Sequence, residues 1–489
     1  MVGIVVDQLS TEHIEQLQNL FGQKGFRTFM GKGVYLRDVD YGTRRLDANS
    51  GAAALLTGST PSTTGVPSAM VYDETLSTMR PPLATPAPSG ALSNDSFTPE
   101  QLRLTTIADE FAIANDGKAV IYSVAADPQQ AVILAGHAAD GAVWLNNTSG
   151  HWATSSYYGK LPQAVGSTNS RSSMAHRIDT IDWRPLPAVA AAHPGENFRY
   201  RFARNDRDVY RKVALTPAAN SAVTDVAVSL ISQLPTTPGS TGMVNIGYTL
   251  APYRYGEGKL EAETDDAYLR LDAQLGRILD AVDRYCGAGN AVIWLSGTGY
   301  SQSAAIEDKK YRLPGGEFSP KRAMSLLNAY LVARHGNGEY VAAIRDGNVY
   351  LNTRSIEARN LDSSAIAEEC REFLARMAGV DKTYTRRQIL APGDEETRAL
   401  NRAYDPKTGA DVIITLMPGW TVVRDDSQSA GSHQRQLRDL PLASPAFIMA
   451  PGLAPRTIST PVDAREIAPA ISGILRIRPP NGADRRPSF

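Results

Sequence analysis

The stretch AVIWLSGTGYSQ, Ala291–Gln302, sets the reading of the whole chain. Its apolar rise to Leu295 ends abruptly in Ser296-Gly297-Thr298-Gly299. A buried parallel strand ends this way, handing over to a loop at its carboxyl end, where open α/β sheets place their ligands. Such loops normally carry chemistry. This one holds no acid, no imidazole and no thiol.

Immediately upstream, Leu271, Leu275, Ile278, Leu279 and Val282 recur at helical spacing with Asp, Arg and Gln opposite them, which predicts a long amphipathic helix feeding the strand. The same alternation extends outward. VGIVVD (2–7) reads as a buried strand, TEHIEQLQNLFGQKG (11–25) as a helix, GVYLRDVDY (33–41) as a strand and the Ala-rich DANSGAAALLTGS (47–59) as a helix packed tightly on a sheet. A helix over 99–115 precedes the strand KAVIYSVAA (118–126), and AVILAGHAADGAVWLN (131–146) reads as two short strands. A helix near 217–233 leads to the strand GMVNIGYTL (242–250).

The expected fold is α/β, a mixed, mostly parallel central sheet between helical layers. Residues 1–310 form its core, with long cap loops at about 75–98 and 150–220. Residues 311–405 form a small α+β insertion with a hairpin turning at Asp346-Gly347, and 406–489 return to the core sheet through ADVIITLMPG (410–419) and SPAFIMAPG (444–452).

Bulk composition narrows the function classes. Lys+Arg of 50 against Asp+Glu of 51 leaves a net charge of −1, so no electrostatic case exists for nucleic acid. No apolar run reaches the roughly eighteen residues of a membrane span. Cys286 and Cys370 are the only cysteines, too few for a disulfide framework or a thiolate metal site. Cys286 is expected as a buried, inert thiol. Met1 leads straight into a strand, with no signal peptide visible.

Five segments taken in order resemble the alkaline phosphatase superfamily, nearest its type I phosphodiesterase/nucleotide pyrophosphatase branch and the bacterial phosphate-monoesterases related to it. They are IVVDQL (4–9), LLTGSTPSTTGV (55–66), ILAGHAADGAVWLN (133–146), the block DAYLRLDAQLGRILDAVDRY (266–285) with NAVIWLSGTG (290–299), and SPAFIMAPG. The resemblance implies two zinc ions held by Asp and His at strand ends, a Thr or Ser nucleophile, and export to the periplasm. Paired metals can clamp the attacking and leaving oxygens of an in-line displacement.

Carried over residue by residue, the resemblance puts the first ligand on Asp7, which is present. The nucleophile position falls on Ala48, with Asn49 and Ser50 beside it. One Asp and His fall on Gly247 and Ala251, the next pair on Thr298 and Gly299, and the last His on Ala443. An Asn of the monoesterase branch falls on Ala69, and its Lys and Arg fall near Asp127 and Gln129. No Asp, Glu or His occurs anywhere in 241–256, 291–305 or 440–455. Slipping the register therefore restores nothing, and no cofactor is expected. Gly297-Thr298-Gly299 reads as the backbone of a metal loop that has lost its ligands.

Several alternatives stay open on sequence alone. Asp7 is either a residual metal ligand or a strand-end acid bonded to loop amides. Ser50 as a replacement nucleophile needs a base. His137, Asp140 and His151 could share a metal, or serve loop and edge-strand roles. His433 sits in a polar loop. The patch Tyr248, Tyr253, Arg254 and Tyr255, together with Thr298, could bind a sugar, a peptide or a protein, or simply pack a loop. The favoured function is a catalytically inactive phosphodiesterase-like protein that binds an unidentified protein or envelope component. The alternatives are a phosphate- or sulfate-ester hydrolase with a rebuilt site around Asp7, Ser50 and Thr298, and a sensor of a small anion or glycan.

Overall fold

The computed structural model describes residues 1–43, 45–85, 96–235, 237, 239–251, 253, 260–299, 315–417, 419–423 and 443–489. A nine-stranded sheet runs in the spatial order 152–153, 141–145, 120–125, 242–249, 2–7, 293–297, 446–449, 34–36, 456–458. The strands from Gly141–Leu145 to Ile293–Gly297 are all parallel, while Ala446–Met449 runs against its neighbours. The architecture is the expected mixed α/β sandwich, and the central strand is Val2–Asp7.

The strand's period of two distributes that core. Ile4 and Val6 point to one face, where they join Leu271, Leu275 and Ile278 of the helix Glu261–Cys286 and Val223 of the helix Pro217–Ile231. Val5 points to the other face and joins Leu55 of Ala48–Thr57 and Val132 of Pro128–Ala135. Both faces are covered, so the central strand carries no polar residue before Asp7.

Three sequence expectations need correction. AVILA (131–135) is the end of a helix, Pro128–Ala135, and only Gly141–Leu145 forms a strand. A short apolar run buried on all sides has no diagnostic period; the deciding signals are Asp127 as N-cap, bonded to the Gln130 amide, and Pro128 in the first turn. Second, 150–220 is largely built, with helices Gln163–Ser172, Met174–Arg177, Pro187–Ala192 and Val209–Val213. Their polar or very short sequences hide any amphipathic stripe.

Third, Val412–Leu416 does not return to the main sheet. It pairs with Asn348–Leu351 and Val380–Thr385 in a separate four-stranded sheet covered by Pro320–His335 and Ser363–Leu374. The hairpin turn does lie at Asp346-Gly347, both at positive φ (47° and 75°). This insertion is tied to the core by Arg103–Asp405 at 2.7 Å and by Arg45 to the Asn348 side chain at 2.7 Å. No described helix is long and apolar enough to cross a membrane.

Candidate functional site

The carboxyl ends of the parallel strands converge on Asp7. Register places Thr249 directly beside it, and Thr298 follows the neighbouring strand on the other side. Both hydroxyls donate to the carboxylate, Thr249 to Oδ2 at 3.2 Å and Thr298 to Oδ1 at 3.3 Å. Thr249 Oγ1 in turn accepts the Ala251 amide at 3.0 Å. Burial pushes the Asp7 carboxyl up to about 7; Asp47 and Asp127 raise it further, and the two Thr hydrogen bonds oppose the shift.

Asp47 organises the second wall. It caps the helix Ala48–Thr57, accepting the Asn49 and Ser50 amides at 3.0 and 2.9 Å, and its other oxygen takes the Ala69 amide at 2.6 Å. Ser50 completes a capping box by accepting the Asp47 amide at 2.9 Å. The Ser50 hydroxyl is fully buried within that cap. Ala48 occupies the first helical position. Asp127, exposed as a residue, accepts the Gln130 amide at 2.8 Å, and its carboxyl is raised above its ordinary range, chiefly by desolvation.

The loop at 297–299 is held by close packing. Gly51 faces the Thr298 carbonyl so tightly that a Cβ would overlap it, and Gly299, at φ 70°, lies against the Tyr41 ring. Tyr41 donates to the Gly297 carbonyl at 2.7 Å, and Ser444 Oγ accepts the Gly299 amide at 3.4 Å.

With that geometry in view, the sequence model of the "Type I phosphodiesterase / nucleotide pyrophosphatase" family matches residues 1–438. The chain belongs to this family. Its relatives include alkaline phosphatase PafA of Elizabethkingia meningoseptica, 24% identical over 100% of this chain and 93% of the relative. Alkaline phosphatase PhoV of Synechococcus elongatus is 24% identical, over 99% and 91%. A protein named calcium-transporting ATPase, from Myroides odoratus, is 23% identical over 99% and 92%. The crystal structure of wild-type PafA superposes with a TM-score of 0.85 at 22% identity, covering 100% of this chain and 98% of that one. Murine ectonucleotide pyrophosphatase/phosphodiesterase 5 gives 0.54 at 10% identity, over 100% and 97%. The fold is thus that of a superfamily of metal-dependent hydrolases.

The donor set around Asp7 does not fit the family's zinc pair. Gly247 lies inside its strand, opposite Val5, where a Cβ would meet the Gln130 amide oxygen at 2.5 Å. Ala251 is buried, Gly299 has no side chain, and Ala443 offers its carbonyl to the Thr11 amide at 3.1 Å. Thr249 and Thr298 are neutral hydroxyls already bonded to the one carboxylate. Zinc sites need imidazole, thiolate or carboxylate donors.

Among the described residues, one group could hold a cation elsewhere: His193, Glu196 and Glu261, whose ligand atoms lie within 4.8 Å of one another. None of the three is a position that the resemblance assigned. Glu196 accepts the Ala262 amide at 2.9 Å and so caps the helix Glu261–Cys286, while His193 bonds Asp265 at 2.7 Å.

The other candidates are placed as follows. His137 is spent on Asp109 at 3.0 Å and the Leu102 carbonyl at 2.9 Å, and Asp140 accepts the Ile121 amide at 2.8 Å, so the two do not share a site. His151 bonds the Ser149 carbonyl. Tyr248, expected as a binding contact, is core instead: it is 1% exposed, with its hydroxyl 2.8 Å from Thr224. Tyr253 packs against Tyr200 and Trp183. Arg254, Tyr255 and His433 lie outside the described residues. Cys286, expected to be buried, is half-buried at the helix end, while Cys370 is buried.

Sequence reasoning missed Thr249 and Asp47. The Asp-x-x-Ser spacing of 47–50 is a capping-box signal that could have found Asp47. Thr249 carries no local signal, because its role comes from strand register.

Proposed function

We propose that this chain is a catalytically silent member of its family that works by binding, with an exported, periplasmic setting in bacteria and a protein or envelope component as partner. The carrying observation is the pair of hydroxyls from Thr249 and Thr298 that close on Asp7. Each Asp7 oxygen keeps a lone pair, but the side chains that reach it are neutral hydroxyls where a zinc pair would need further carboxylates or imidazoles. The rebuilt-hydrolase alternative loses support at Ser50, whose hydroxyl serves the helix cap and, among the described residues, bonds only to Asp47 and to no imidazole.

The test combines metal analysis with turnover. Purified chain is expected to carry no stoichiometric zinc and to leave p-nitrophenyl phosphate and bis-p-nitrophenyl phosphate intact. Two zinc ions per chain together with turnover of either ester would falsify the proposal.

A further inference from the structure

His137 lies where several parts of the fold meet. It follows the helix Pro128–Ala135, whose first turn carries Gln129 into the wall of a cleft of about 570 Å³. Its amide and that of Ala138 donate to Asp109 Oδ1, on the helix Ile107–Ala114, at 2.6 and 2.9 Å. Its carbonyl accepts the Tyr157 hydroxyl at 3.1 Å, and the Gly136 carbonyl accepts that of Tyr158 at 2.7 Å. The start of the cap is therefore anchored on this corner.

The ring adds a further connection. Nδ1 lies 3.0 Å from Asp109 Oδ2, and Nε2 lies 2.9 Å from the Leu102 carbonyl oxygen. A carbonyl can only accept a hydrogen bond. Desolvation works to raise the Asp109 carboxyl, but the His137 ring with the Thr106 and Ala138 amides outweighs it and holds the carboxyl below its ordinary range. It is an ionised acceptor too. Both ring nitrogens thus face acceptors, so each needs its own proton, and the bound form is the imidazolium. The hydrogen bond to Asp109 accordingly raises His137 above an ordinary value of 6.5, against desolvation.

Leu102 ends the short turn Pro99–Gln101 that follows the strand Ser96–Phe97. Phe97 lines the cleft and meets Trp144 edge-on, with ring centres 6.0 Å apart. The segment is pinned at one end by the Thr98 amide on the Leu83 carbonyl at 3.1 Å, and at the other by the Arg103 amide on the Thr64 carbonyl at 2.9 Å. Between these pins, the Leu102 carbonyl rests on the His137 ring.

We propose that the His137 imidazolium is a proton-held clamp on residues 97–102, which loosens that segment and the Phe97 side of the cleft when the ring loses a proton. A neutral imidazole keeps one N–H. That proton stays on Nδ1, where the partner is charged, and the bare Nε2 then turns a lone pair on the Leu102 carbonyl. The clamp is fully closed below about pH 6.5 and opens as pH rises through the higher value that the ring has in the folded chain.

The surrounding charges do not compete for this role. Glu100 on the turn and Asp109 both act on Tyr157, and Asp109 acts on Tyr158; burial is the main cause that raises both phenols. Glu110 bonds Arg478 at 2.8 Å and Arg103 bonds Asp405 at 2.7 Å, so each of these cations is held on its own acid. Asp140, on the same loop as His137, accepts the Ile121 amide. With the two tyrosines shifted up and Asp109 shifted down, the imidazole is the group that changes charge near neutral pH.

The experiment is hydrogen exchange of the full chain, read by mass spectrometry between about pH 6 and pH 9 and corrected for the intrinsic dependence on hydroxide. Peptides covering 97–104 are expected to lose at least about tenfold in protection across this range, the scale of one hydrogen bond to a charged group. The midpoint is expected above 6.5. Asp7→Asn should keep the transition, which separates it from the titration of Asp7. His137→Gln keeps an amide donor but carries no charge, and its protection over 97–104 should be low at pH 6 and level to pH 9. If that variant does not fold, the parent and Asp7→Asn profiles decide. A level parent profile, a midpoint at or below 6.5, loss of the transition in Asp7→Asn, or an undiminished transition in His137→Gln overturns the clamp.

Discussion

The Thr298 hydroxyl, just past the end of the adjacent parallel strand, reaches the carboxylate of Asp7 at 3.3 Å. The contact joins the quoted loop to the single acid that survives from the family's metal positions. It makes Asp7 a structural acceptor, and it does so in a site that desolvates the charge.

That environment has a pH signature. The Asp7 carboxyl is raised from an ordinary value of 3.8 to about 7, first by burial. A native value above the unfolded one means that the folded chain holds the proton more tightly. Stability is then greatest below about pH 4, falls as pH rises to about 7, and levels off above that. For a lone group the loss is at most about 4 kcal/mol. Asp7→Asn is expected to flatten this slope and to be more stable than the parent at pH 8 in urea denaturation. Asp127 is shifted in the same direction, so some slope remains. An unchanged slope in Asp7→Asn would contradict the assignment.

The hydroxyl of Ser50 separates a cap from a nucleophile. Ser50→Ala removes half of the capping box and is expected to cost about 1 kcal/mol in chemical denaturation. Asp47→Ala, which strips two helix amides and the Ala69 amide of their acceptor, is expected to cost more. If Ser50→Ala instead abolished an ester hydrolysis while leaving stability unchanged, the hydroxyl would be chemical and not structural.

Some of this was legible in the sequence and some was not, for physical reasons. The central strand, the long helix 261–286 and the loop glycines announce themselves through apolar periodicity and abrupt termination. The emptiness of the metal positions is equally plain, because it needs only residue identity in three windows. Val132 to Ala135 misled because a fully buried helix and a buried strand share one apolar pattern. Val412–Leu416 misled because a strand's sequence does not name its sheet. The Thr249–Asp7 contact was invisible because residues 242 apart meet only through register.

Gly51 reverses the usual sign of a glycine-to-alanine change. In an ordinary helix interior, Gly→Ala gains about 1 kcal/mol. Here the new methyl would overlap the Thr298 carbonyl, a backbone atom that cannot swing aside. Overpacking of this kind costs about 1–3 kcal/mol and should outweigh the propensity gain. Gly51→Ala is therefore expected to lower the melting temperature, and a stabilised variant would show that the 297–299 loop is not pressed against this helix.

Chelation tests the metal reading independently of any activity. A structural zinc contributes on the order of 10 kcal/mol to a fold that depends on it. Since the groups around Asp7 do not fit the zinc pair, prolonged dialysis against EDTA is expected to leave the melting temperature unchanged. The one cation-competent group among the described residues, His193 with Glu196 and Glu261, gives the control. If added zinc stabilises the chain, His193→Ala should abolish that gain, whereas Asp7→Asn should not. A zinc-dependent gain lost in Asp7→Asn and kept in His193→Ala would place the metal at the strand ends and restore the site that the two threonines are held to have closed.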